Sequence, residues 1–167
     1  MPERKTIEKA KQDKRQGKSA STQAGEFVKE QIHHVREGKH GVRSSKQAIA
    51  IGLSEARRSG VDLPPPKAGR SSKKTRDKAK QDLSKGDEAS HKKSATRSRA
   101  TKTALKRESK KGASKEALAA HAKTAAKRRT AADRSAAAKK AARTKGAAGR
   151  SAAAKKAART RAANRHA

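Results

Sequence analysis

No cysteine, tryptophan or tyrosine occurs in the 167-residue chain, and phenylalanine occurs once, at Phe27. Without thiols there is no disulfide scaffold, no thiol nucleophile and no thiolate metal site. Leu, Ile, Val and Phe together number fourteen, well under the roughly one-fifth of residues that marks the boundary with disordered compositions. Most of the 31% hydrophobic fraction is therefore alanine, and a conventional single-core globule is excluded. No window approaches the roughly 20 apolar residues of a membrane helix, and the opening Met1-Pro2-Glu3-Arg4-Lys5 leads into no apolar run. A soluble, cytoplasmic chain is expected. Acid is scarce as well: 15 Asp and Glu face 47 Lys and Arg, giving a net charge of +32. Such a polycation is drawn to polyanions, of which DNA and RNA are the abundant ones in a cell.

After Pro2, every proline falls in the tract Pro64-Pro65-Pro66, which cannot continue a helix and favours a stiff spacer. The tract divides a head of net charge +6 from a tail, residues 67–167, of net charge +26. Residues 1–20 read as a charged N-terminal helix or arm that Gly17 ends, with Ile7 and Ala10 as its apolar side. Residues 21–63 read as a helical hairpin. Ala24, Phe27, Val28, Ile32 and Val35 recur at spacings of three and four up to Gly38, and Ser44-Ser45-Lys46-Gln47 opens a second helix with a capping-box pattern. Gly60 closes that helix, with Val61 and Leu63 folding back on its end. Two such helices bury too little alone. Either the first helix packing back or self-association of the head as a homodimer would cover their apolar face.

The tail is built from Ala, Lys, Arg, Ser and Thr, and only Leu83, Leu105 and Leu118 are large apolar residues in it. The eleven residues Arg134 to Thr144 recur unchanged as Arg150 to Thr160. On one rigid helix the second copy would be turned by about 160°, but Gly146 and Gly149 lie between the copies and predict two separately oriented segments. Within each copy Lys139, Lys140 and Arg143, or Lys155, Lys156 and Arg159, share one face. Like charges on a face oppose helix formation while alanine favours it. The expectation is a long, largely disordered tail with transient Ala-rich helices that phosphates would stabilise, beneath an all-α head.

The run from Ser45 to Arg57, SKQAIAIGLSEAR, with Ser21 to Val28 before it, resembles an uncharacterised family of small basic bacterial proteins, a domain of unknown function, over roughly residues 1–66. The resemblance implies a bacterial origin and carries over no catalytic residues. The Ala-Ala-Lys-Lys repeats are similar in composition to the tails of linker histones and bacterial histone-like proteins, which implies DNA compaction.

Phosphate neutralisation suits the basic clusters Lys73-Lys74, Lys92-Lys93, Lys106-Arg107, Lys110-Lys111, Lys127-Arg128-Arg129, Lys139-Lys140 with Arg143, and Lys155-Lys156 with Arg159. In the head, Lys39 and Arg43 flank a helix N-terminus whose free N–H groups, with Ser44 and Ser45, offer a phosphate site. Base reading would need rigid side chains in a groove or aromatic stacking, and the tail has neither. Gly38-Lys39-His40-Gly41 imitates a nucleic-acid-clamping GXXG loop but lacks the sheet of that fold, and reads better as a helix cap and turn. The second helix as a major-groove reader would expose Lys46, Gln47, Arg57 and Arg58, but its small apolar residues fit packing better. Gly17-Lys18-Ser19 lacks the rest of a phosphate-binding loop, and Ser54 sits inside a helix, so no enzyme site emerges. His33, His34 and His40 have Glu30, Glu37 and Asp62 as carboxylate companions, but adjacent histidines point apart on a helix; a solvated face is expected, with no metal and no cofactor.

Together these features predict a non-enzymatic, largely sequence-independent DNA-binding protein of histone-like, nucleoid-associated type, with duplex DNA as partner and no membrane. An RNA-binding or ribosome-associated protein, or a head acting as a protein-interaction module, are the alternatives.

Overall fold

In the computed structural model, residues 2–69, 71–87 and 94–165 are described, and among them the chain is all-helical with no strand. Seven α-helices follow in order: α1 (Arg4–Arg15), α2 (Ala20–Glu37), α3 (Ser45–Arg58), α4 (Lys73–Asp87), α5 (Ala95–Arg107), α6 (Lys115–Lys127) and α7 (Ala131–Ala163). A 3₁₀ turn, Lys110–Ala113, precedes α6. The chain forms two compact units, Met1–His121 and Ala122–Ala167.

In the first unit the expected hairpin is present as α2 and α3, and α1 packs back on α2. Ser44 caps α3 by accepting the Gln47 N–H, and the Gln47 side chain in return accepts the Arg43 N–H. At the other end of α3, Gly60 takes a positive φ while the Val61 N–H reaches the Ala56 carbonyl and the Gly60 N–H reaches that of Arg57. This pair of hydrogen bonds satisfies the last carbonyls of the helix and turns Val61 inward. One apolar cluster joins Ala10, Ala24, Phe27, Ala56 and Val61, with Ile7, Leu53 and Leu63 against it. A second joins Val35, Val42, Ala48 and Ala113, with Ile32 and Ile51. The two helices pack closely at Gly52, where an added Cβ would come within 2.6 Å of the Val28 Cα. The apolar face of the hairpin is thus covered within the chain, by α1 on one side and by Ala113 on the other.

The expectation of a largely disordered tail is corrected. Beyond the prolines the described residues form four α-helices and the 3₁₀ turn, and part of this segment belongs to the first unit. Helix α4 docks on α3 through Asp82, only 2% exposed, which accepts hydrogen bonds from Ser54 Oγ (2.6 Å) and Arg58 Nε (2.8 Å). The 3₁₀ turn contacts α2 and α3. There Gly41 and Val42 donate their N–H groups to the Leu105 and Ser109 carbonyls, and Arg36 Nε donates to the Ala113 carbonyl. Arg57, expected on the surface, is buried. Its guanidinium donates to the carbonyls of Leu63 (3.0 Å) and Pro64 (3.4 Å), fastening the chain as it enters the proline tract. Burial lowers the Arg57 pKa, a pull that nearby Asp82 opposes. The tail folds where scarce acids, small residues and free carbonyls give it partners, features that a count of large apolar residues misses.

In the second unit, α7 buries no residue. Its order has local causes: alanine's high helix propensity, and a reciprocal capping box in which Thr130 accepts the Asp133 N–H and Asp133 accepts the Thr130 N–H. The helix breaks at Gly146 (φ 64°, ψ 173°), a conformation essentially reserved for glycine. Arg150 Nη1 reaches back across the break to donate to the Ala142 carbonyl at 2.7 Å.

Candidate nucleic-acid interface

Basic side chains fall into two settings. In the first unit, Lys39 follows the end of α2 and Arg43 precedes α3, while Lys106 and Arg107 end α5 and Lys110 and Lys111 lie in the 3₁₀ turn. The hydrogen bonds from Gly41 and Val42 bring these two stretches side by side, and Lys110 Nζ lies against the Gly38 backbone. A basic patch forms there that adds residues 106–111 to the expected pair, but carboxylates accompany it. Lys39 Nζ is 3.2 Å from Glu3 Oε1 and 3.1 Å from Glu37 Oε2, although its side chain is 52% exposed. Hydrogen bonds to Glu37 and Glu3 raise the Lys39 pKa, and those from His34 and Lys39 lower that of Glu3. Arg43, 82% exposed, reaches Glu108 at 3.3 Å. At the α3 N-terminus, where the sequence places a phosphate site, internal partners take some of the polar groups. The Ser44 hydroxyl is spent on Gln47, Ser45 is buried, and the Val42 and Arg43 N–H groups are bonded.

The other setting is solvent. Lys73 and Lys74 form the exposed first turn of α4. Lys127 ends α6, Arg128 and Arg129 lie in the turn that follows, and Lys139, Lys140, Arg143, Lys155, Lys156 and Arg159 are exposed along α7 on either side of the break. The repeat in sequence is a repeat in structure. Thr144 donates its hydroxyl to the Lys140 carbonyl and Thr160 donates to that of Lys156, so both copies are helical in the same way. Residues 122–167 carry fifteen Lys and Arg against one Asp, and alanine is their only apolar residue type. Lys92 and Lys93 lie outside the described residues.

A third assembly is not foreseen by the sequence pattern. Glu3, Glu30 and His34 converge with all three ligand atoms within 4.8 Å of one another. They line an open cleft of about 320 Å³ with Lys39 and Glu37. The spacing along α2 points to Glu30 and His34 as companions but not to Glu3, which reaches them only because α1 folds back on α2. His33 is exposed. Both ring nitrogens of His40 are engaged, Nδ1 3.0 Å from the Gly41 carbonyl and Nε2 3.1 Å from Gln31 Oε1. Gln31 continues this chain by donating to Glu55 Oε2 at 2.7 Å. Burial raises the Glu55 pKa and nearby Glu30 adds to the rise, while the Gln31 hydrogen bond opposes it.

Residues 3–67 match a family of unknown function, DUF6496. The matched segment spans α1 to α3 and ends just past the proline tract, so the head is similar to an uncharacterised domain, while the helices that follow lie outside the match. The chain matches no curated protein and no solved structure. Among the described residues no helix is long and apolar enough to cross a membrane.

Proposed function

We propose that this is a non-enzymatic protein that binds duplex DNA largely without regard to sequence, in the manner of histone-like, nucleoid-associated proteins. One observation carries the reading: residues 122–167 hold fifteen cationic side chains and one carboxylate, have alanine as their only apolar residue type, and their long helix α7 buries no residue. Such a segment has little to recognise except a dense line of negative charge. Each phosphate it neutralises releases condensed counterions, and that release supplies the binding free energy. The bend at Gly146 divides the cations into two short stretches that follow a curved or grooved lattice better than one straight rod does. The DUF6496-like head, with α4 and the 3₁₀ turn docked on it, acts as the folded body that carries the basic segment.

Competition titration of the full chain against matched duplex DNA, structured RNA and single strands at two KCl concentrations tests this. Duplex is expected to bind best, with affinity falling steeply as salt rises. Preference for structured RNA would instead assign the same charge to an RNA-binding role, and salt-insensitive binding would overturn the mechanism.

A further inference from the structure

Glu30 is 7% exposed, yet only one of its carboxylate oxygens is satisfied. Oε1 accepts the backbone N–H of Glu3 at 2.8 Å, while Oε2 is buried without a hydrogen-bond partner. Buried carboxylate oxygens are seldom left so, and an orphan of this kind asks for a missing donor or cation. Its surroundings favour a cation. His34 stands one helical turn along α2, with Nε2 3.7 Å from Glu30 Oε1, and the start of α1 brings Glu3 Oε1 to 3.0 Å from the same nitrogen.

We propose that Glu3, Glu30 and His34 form a binding site for a divalent first-row transition ion of the Zn²⁺ type. Donor atoms on a tetrahedral ion with bonds of about 2.0–2.1 Å are about 3.3 Å apart; the separations of His34 Nε2 from Glu3 Oε1 and Glu30 Oε1 bracket that figure, and the orphaned Oε2 on the same Glu30 carboxylate is the oxygen left without a protein donor for the ion or its water. One imidazole with two carboxylates suits Zn²⁺, Co²⁺ or Ni²⁺ better than the all-oxygen preference of Mg²⁺ or Ca²⁺. Three protein ligands leave a position for water on the cleft side, where Lys39 and Glu37 also face. The Glu3 N–H holds the Glu30 carboxylate in place, as an outer-shell donor does in other metal sites. Lys39 now shares Glu3, but it keeps Glu37 as partner when an ion displaces it. The ion would pin the first turn of α1 to the last turns of α2, so binding and folding are linked. His40 is no fourth ligand, because its nitrogens already face Gly41 and Gln31.

The test is calorimetric titration of the chelator-treated full chain with Zn²⁺, alongside Co²⁺ absorption spectra and thermal unfolding. One saturable equivalent is expected, together with a rise in Tm and a visible Co²⁺ band. His34→Gln and Glu30→Gln should each weaken binding by about tenfold or more and abolish the rise in Tm, while His33→Gln should change neither. If Glu30→Gln fails to fold, the partly exposed His34→Gln decides. Absence of a saturable equivalent, or binding undiminished in His34→Gln, would overturn the site.

Discussion

Residues 1–121 and residues 122–167 are both strongly basic, yet they hold their charge in opposite ways. The first region has fourteen carboxylates for its thirty-two Lys and Arg, and several of them are structural partners. Asp13 holds Lys18 at 2.7 Å, Asp82 holds Arg58 and Ser54, Glu108 meets Arg43, and Glu3 bridges α1 to Lys39 and His34. The second region has a single Asp for fifteen cations, and that Asp caps α7. Where carboxylates are at hand, cations build tertiary structure, and where they are not, cations stay exposed. On the proposed reading it is this local supply of acid, rather than net charge, that places the polyanion-binding surface.

Truncating the core should separate the two regions most sharply. Phe27→Ala removes the one aromatic side chain, fully buried between α1, α2 and α3, and is expected to cost about 3–5 kcal/mol. The cooperative melting transition should be lost, while the circular dichroism contributed by α7 persists. If α7 melts with it, the second region depends on the first. A smaller effect is expected from Asp82→Ala, about 1–3 kcal/mol, since it removes the charge-assisted hydrogen bonds by which Arg58 and Ser54 hold α4 on α3. Hydrogen exchange should then speed up in α4 while α1 and α2 stay protected.

Gly146→Ala acts on the second region alone. Alanine disfavours the conformation found there and favours a helix by about 1 kcal/mol, so the break should straighten. The absence of native cysteine allows spin labels at Ser135→Cys and Ser151→Cys, whose separation should approach about 24 Å in the variant and be shorter in the parent. An unchanged distance would show that something other than the glycine sets the bend. The mildest change expected is that of Glu55→Gln. A carboxyl group whose pKa is raised on folding binds its proton more tightly in the native state, so its contribution to stability is lost as pH rises through that pKa. Glu55→Gln keeps an acceptor for Gln31 and escapes the penalty. The variant should therefore be more stable than the parent near neutral pH, with the difference closing below about pH 4, as chemical denaturation would show.

The hairpin is legible in the sequence because its signals are local. Phe27, Val28, Ile32 and Val35 write the helical period of α2, Ser44 and Gln47 write the start of α3, and Gly60 with Val61 writes its end. The break at Gly146 is legible for the same reason, as a glycine between two alanine-rich copies. What the sequence hides is packing between distant segments. The docking of α4 rests on one aspartate in a basic segment and on Gly86 against the Arg57 backbone, and that of the 3₁₀ turn on Gly112 and Ala113, whose small size carries no hydrophobic signal. Arg57 looks like a surface residue until Leu63 and Pro64 fold back over it. Of the candidate site residues, those on α7 are evident from composition. The patch at the α2–α3 turn shows in sequence only as Lys39 and Arg43, because the pairing with residues 105–109 spans more than sixty residues of chain.

The division between compensated and uncompensated charge is decided by the slope of log affinity for duplex DNA against log KCl concentration in two matched double variants of the full chain. Lys140→Gln with Lys156→Gln should flatten the slope by about 2, near 0.9 for each phosphate no longer neutralised, whereas Lys39→Gln with Arg43→Gln should change it by less than about 1. The reverse order would place the attachment at the α2–α3 turn and refute the division.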